Sequence, residues 1–242
     1  MGLKSVFKRR EYKYLLSARD YQLLRKELEP YMTEDQYGQT TIMSLYFDTP
    51  QYYFINQSIK KVTYKSKFRV RSYGVPTASD PVFLEQKKKI QGIVYKRRLT
   101  IPYQELVPTL TSKFSNEICE NLTPNARQIK NEIKWDFDHY ELQPMVLIAN
   151  ERSALKTTFD SDFRVTFDSK IRFRDAQLKF TQGTDGTPID TDFDYIMEVK
   201  ATGAYPLWFT EILAKLHLVK GRFSKYGYVY QYYLSRKENV NV

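Results

Sequence analysis

Residues 64–101 read YKSKFRVRSYGVPTASDPVFLEQKKKIQGIVYKRRLTI, and the way charge alternates along them decides the fold. Successive side chains of a strand point to opposite faces, so residues two apart share a face. Lys67, Arg69 and Arg71 fall on one face, as do Glu85, Lys87 and Lys89, then Lys96 and Arg98. Phe68, Val70, Leu84, Ile90, Tyr95 and Leu99 fall on the other. Turn residues separate the runs, Pro76 to Pro81 first and Gln91-Gly92 second. The stretch predicts consecutive strands at roughly 64–73, 82–90 and 93–101, each half charged and half apolar.

The same alternation recurs outward. Arg9, Glu11 and Lys13 share a face of a strand over 7–16; Arg164 and Asp168 oppose Val165 and Phe167; Glu198 and Lys200 oppose Met197 and Val199. Further strands are expected at 41–48, 145–157, 163–168, 171–180 and 194–201, with Gly183 to Pro188 as a hairpin-like loop. Ser17 starts a helix over 18–32 with Leu23, Leu24 and Leu28 on one face, and Pro50 opens a short helix carrying Tyr53, Phe54 and Ile59. Helical pieces are expected across 103–130, broken by Pro108 and Pro124, then over 207–216, then from a Ser224 cap to about Leu234.

Alternation of this kind also suits an antiparallel sheet with one solvated face. Two features favour another arrangement. The charged faces are dominated by Lys and Arg with isolated Glu, whereas a solubilising surface mixes the signs more evenly. The helices also need an apolar face to cover, and the apolar strand residues provide one. The expectation is a mainly β, α+β fold: a closed antiparallel barrel turned inside out, surrounded by helices, with a polar lumen. Crowded cations repel, so a polyanion is the implied counter-charge.

Composition agrees. Lys and Arg number 38 against 28 Asp and Glu, a formal net charge of +10, which points to an anionic partner. Twenty Tyr and 15 Phe favour strands, and 242 residues without a repeat or linker read as a single domain over 1–242. One cysteine, Cys119, leaves no intramolecular disulfide and a cytoplasmic location by default. His139 and His217 are far apart, so a His-ligated metal or a Ser-His-Asp arrangement is disfavoured, and any metal would be a hard cation on oxygen ligands. All three of these residues read as structural. No apolar run of membrane-spanning length is present.

The strings Arg9-Arg10-Glu11-Tyr12-Lys13-Tyr14, Ser44-Leu45-Tyr46-Phe47-Asp48-Thr49, Lys67-Phe68-Arg69-Val70-Arg71, Phe83-Leu84-Glu85-Gln86-Lys87, Val94-Tyr95-Lys96-Arg97-Arg98, Ile196-Met197-Glu198-Val199-Lys200 and Phe223-Ser224-Lys225-Tyr226 together resemble the VTC domain. This is the polyphosphate polymerase branch of the CYTH-like triphosphate tunnel metalloenzymes, here similar to the free-standing bacterial form, from about residue 7 to 235. The resemblance implies an eight-stranded antiparallel tunnel holding a triphosphate or a polyphosphate end. It implies phosphate ligands Arg9, Lys13, Arg69, Arg71, Lys87, Lys96, Arg98, Arg152, Arg164, Lys200 and Lys225, with Lys200, Arg69, Arg71, Lys96 and Glu198 central to catalysis. Glu198, Glu11 and Glu85 are the implied ligands for Mn²⁺ or Mg²⁺.

The activity so implied is synthesis of polyphosphate from ATP or another nucleoside triphosphate. Hydrolysis of tripolyphosphate or a nucleoside triphosphate, and a non-catalytic polyphosphate-binding module, remain open. Nucleic acid is disfavoured, because the cations lie within strands rather than along one exposed stripe. Lys88 and Arg97 fall off the charged faces and read as solvated or surface-anion residues, and Tyr226 to Tyr233 as helix packing.

Overall fold

The computed structural model describes residues 9–60, 62–91, 93–115, 122–157 and 163–238, with backbone only for 9, 10, 237 and 238. Cys119 and the Arg9 side chain lie outside the described residues. In chain order the elements are β1 (Arg9–Leu16), α1 (Ala18–Leu28), β2 (Met32–Glu34), β3 (Thr40–Asp48), α2 (Tyr53–Ile59), β4 (Tyr64–Tyr73), β5 (Pro81–Ile90), β6 (Ile93–Pro102), α3 (Leu106–Thr111), α4 (Pro124–His139) and β7 (Gln143–Thr157). There follow β8 (Arg164–Arg174), β9 (Thr187–Pro188), β10 (Tyr195–Thr202), α5 (Leu207–Lys215), β11 (Lys220–Gly221), α6 (Lys225–Val229), a π-helical turn over Tyr230–Leu234, and α7 (Ser235–Glu238).

The chain divides into two compact units. One comprises the described parts of Met1–Thr40, Asn150–Ile171 and Pro188–Phe223; the other, those of Thr41–Ala149, Arg172–Thr187 and Ser224–Val242. Each has its own core. In the first, Tyr14, Leu16, Val165, Phe167, Met197 and Val199 pack against Leu24 and Leu28 of α1 and Phe209, Ile212 and Leu213 of α5. In the second, Phe47, Phe68, Val70, Leu84, Leu99 and Ile101 meet Leu106 of α3 and Ile129, Ile133 and Phe137 of α4. In both, helices cover the apolar strand faces, as the alternation predicts, and each such side chain contributes about 1.5–3 kcal/mol by leaving water.

Hydrogen bonding orders the strands β11-β1-β10-β8-β7-β3-β4-β5-β6, with β2 pairing β7 and β9 pairing β8. This corrects the expected closed eight-stranded barrel: eleven strands form an open order whose two ends are β11 and β6. The reason is visible at those ends. β11 has only two residues, and β6 carries Lys96, Arg97 and Arg98, charges that guard a sheet edge.

Local departures have local causes. The first helix stops at Leu28 rather than 32: Glu29 is its cap, Pro30 follows without an N–H to continue the ladder, and Met32–Glu34 pairs instead with Leu155 to Thr157. The helical stretch expected to end at 130 becomes α3 and then α4, which starts at Pro124 behind a Thr123 cap and runs to His139. The strands expected at 163–168 and 171–180 are one strand, β8, because Lys170 adopts φ 48° without ending it. Beyond it, the Arg174 guanidinium donates to the carbonyls of Gln177, Lys179, Gly183 and Asp185, fastening the loop that includes Gly183.

Candidate anion-binding site

Strand register gathers the cations that alternation had only assigned to faces. Tyr46 of β3 lies opposite Arg69 of β4, Arg69 opposite Glu85 of β5, and Glu85 opposite Arg98 of β6. Arg69 Nε and Nη2 each lie 2.8 Å from Glu85 Oε2, Arg71 Nε lies 3.6 Å from the same oxygen, and Arg98 donates through Nε and Nη2 to Oε1. Burial opposes ionisation of Glu85, but the charges of Arg69, Arg71 and Arg98 outweigh it and hold the carboxyl at about 2, below 4.5. One carboxylate thus faces three guanidiniums.

The next row along the same face is Lys67 opposite Lys87 opposite Lys96. Like charges directly opposite one another are unfavourable in a sheet. At the start of α6, Lys67 Nζ donates to Ser224 Oγ at 3.1 Å, and Ser224 caps the helix that presents Lys225.

Tyr46 closes the row on the β3 side. Its hydroxyl accepts from Arg69 Nη1 at 3.0 Å, and its ring stacks on Tyr226 with centroids 4.7 Å apart. Burial raises the phenol, but Arg69 and then Lys225 outweigh it and bring the group to about 8 from 10.0. Tyr226 in turn donates to Asp48 Oδ2 at 3.0 Å, and the fully buried Asp48 also accepts the N–H groups of Thr49, Phe54 and Ile55, fixing the start of α2.

The other unit carries a second charged cluster. Lys13 lies opposite Glu198, Glu11 opposite Lys200, and Lys200 opposite Arg164. Lys13 Nζ is 3.1 Å from Glu198 Oε1 and donates to the Phe223 carbonyl. Arg152 grips buried Asp168 through Nε and Nη2 and also reaches Glu198 Oε2 at 3.4 Å. Arg164 shares the charged face, yet its guanidinium turns to Asp35 at 2.6 Å.

On the helix side of β5 and β6, Lys88 and Arg97 are not solvated as expected. Lys88 Nζ lies 3.4 Å from Asp136, which also accepts from Gln86, and Arg97 Nε donates to Glu132 at 3.0 Å, both acids belonging to α4. Both pairs tie helix to sheet.

The VTC domain model matches residues 8–233. The chain belongs to the VTC domain family. Solved structures with a similar fold include an adenylate cyclase candidate from Bacillus halodurans, at 16% identity and TM-score 0.54, covering 92% of this chain and 96% of that one. A second is a Hippeastrum adenylyl cyclase candidate described as having a dominant triphosphatase activity, at 18% identity and TM-score 0.55, covering 91% and 94%. No curated protein matches the chain.

For a metal, this VTC domain offers oxygen donors only. No group of three or more His, Cys, Asp or Glu able to hold an ion occurs among the described residues. Glu85 is engaged by arginines and Glu198 by Lys13 and Arg152, and Glu198 and Glu11 sit on adjacent strands. Mg²⁺ and Mn²⁺ take one or two carboxylates and complete their shell with water and substrate phosphate. No helix among the described residues is long and apolar enough to cross a membrane. Sequence reasoning put Asp168 on a charged face without a role, and missed Tyr46, Asp48 and Tyr226 as parts of these clusters.

Proposed function

We propose that this VTC domain is a metal-dependent phosphotransferase that binds the triphosphate of a nucleoside triphosphate and passes its terminal phosphoryl group to an inorganic polyphosphate chain. The convergence of Arg69, Arg71 and Arg98 on the single carboxylate of Glu85 carries the reading, because three guanidiniums gathered at one place attract an anion. The neighbouring Lys67-Lys87-Lys96 row extends that charge along the strand direction, which suits a linear polyanion better than a compact one. Guanidinium forks orient phosphate oxygens in pairs, while ammonium groups act as point charges.

Phosphoryl transfer depends on positioning and charge stabilisation more than on a covalent nucleophile. Arg69, Arg71 and Lys96 would hold the transferring group in one unit. In the other, Lys200, Lys13 and Arg152 form a cationic set of their own for phosphate, and Glu198 and Glu11 there would hold Mg²⁺ or Mn²⁺. When bound, that ion would neutralise charge developing on the phosphoryl oxygens.

A second reading replaces the chain end by water, giving hydrolysis of tripolyphosphate or a nucleoside triphosphate, the kind of activity described for the Hippeastrum relative. Incubation of the purified protein with ATP and Mn²⁺, and separately with tripolyphosphate, followed by resolution of products by chain length, separates the readings. Lengthening chains support the polymerase, and free phosphate alone supports the hydrolase. Tight polyphosphate binding without turnover leaves a binding module and overturns both.

A further inference from the structure

The charged face of β4 and β5 does not end in charge. Tyr73, the last residue of β4, and Phe83, near the start of β5, share the face of Arg69, Arg71 and Glu85. Their rings meet edge to face with centroids 5.5 Å apart. The Arg98 guanidinium lies over Phe83 at 4.7 Å, and the charges of Arg71 and Arg98 act on the Tyr73 phenol. Tyr73 nevertheless leaves 47% of its surface in solvent, so its ring is braced by Phe83 without being used by the core.

Register gives this aromatic pair a direction. Arg71 lies opposite Phe83, Arg69 opposite Glu85, and Lys67 opposite Lys87. From the Phe83 row to the Lys87 row is two steps of two residues, about 13 Å at strand rise. That is the order of the span from the base to the terminal phosphate of an extended nucleoside triphosphate. Aromatic rings beside arginines are the usual platform for a nucleobase, because every base has a π-face and guanidinium planes stack as well.

We propose that Tyr73, with Phe83 and Arg98 behind it, forms a nucleobase subsite. The base stacks on Tyr73 and the triphosphate runs past Arg71, then Arg69 and Arg98, toward the Lys67-Lys87-Lys96 row. The inference rests on the triphosphate-binding reading above and deepens it. It makes a nucleoside triphosphate the preferred anion over an inorganic chain of equal charge, with little discrimination among bases.

Binding of ATP, GTP and inorganic tripolyphosphate to the unmodified protein, Tyr73→Leu and Tyr73→Phe, measured by calorimetry, tests it. Tyr73→Leu should weaken ATP and GTP about tenfold and leave tripolyphosphate affinity unchanged, while Tyr73→Phe keeps the nucleotide preference. Equal losses for ATP and tripolyphosphate in Tyr73→Leu would mean that the residue only orients Arg71 and Arg98, and would overturn the subsite. So would unchanged ATP binding in that variant. Failure of tripolyphosphate to bind the unmodified protein is a different result, and removes the triphosphate reading itself.

Discussion

Asp168 holds Arg152 through two parallel bonds, Nε to Oδ1 and Nη2 to Oδ2, each 2.6 Å long, and the carboxylate is wholly withdrawn from solvent. Removing one partner of such a pair strands the other charge, at a cost of roughly 3–5 kcal/mol, whereas replacing both by apolar residues of similar volume costs far less. Asp168→Asn should therefore lower the denaturant midpoint sharply, and Asp168→Leu combined with Arg152→Met should recover much of the loss. Circular dichroism during urea titration measures both.

Glu85 gives stability an acid limb. Its folded value, about 2, is depressed from 4.5, so the stabilisation is complete above the unfolded value and is lost as pH falls through that interval. Urea midpoints collected from pH 5 downward should fall in the unmodified protein, and Glu85→Gln should flatten the decline over the same range. A decline of equal steepness in the variant would assign the acid sensitivity to other carboxylates.

Tyr46 gives an alkaline signature. With its phenol at about 8, the ionised form is favoured in the folded state, adding stability above the ordinary value of 10.0 that is lost as pH falls through the folded one. Phenolate absorbance should include a step near pH 8 that Tyr46→Phe removes. Between pH 8 and 10 the unmodified protein should also gain stability over the variant.

Glu198→Gln should abolish metal-dependent turnover of ATP while leaving the far-ultraviolet circular dichroism unchanged, since Arg152 keeps its two bonds to Asp168. Unchanged activity in that variant removes Glu198 from the mechanism.

The strands were legible because their period is short and their faces chemically unlike; β4, β5, β6 and β10 lie within about a residue of the ranges read from alternation. Met32–Glu34 is too short to show a period, and nothing in the pattern marks Lys170 as left-handed. Parity put Arg69, Arg71, Glu85 and Arg98 on charged faces but is silent on register, which decides that the three arginines share one carboxylate. Lys88 and Arg97 were misread because their partners, Asp136 and Glu132, lie on a helix whose docking depends on the assembled core. Tyr46 stayed hidden in a strand buried along most of its length, where an aromatic reads as packing.

The bond from Tyr226 to Asp48 joins residues 178 positions apart. Contacts that distant carry a large loop-closure cost and mature slowly, whereas the neighbouring hairpins of β4, β5 and β6 can form locally. The arginine-carboxylate row should thus assemble early in folding, and the ring that backs Tyr46 should dock among the final events. Anion affinity then becomes a measure of how completely a refolding population has matured, with late arrivals at Asp48 setting its slowest phase.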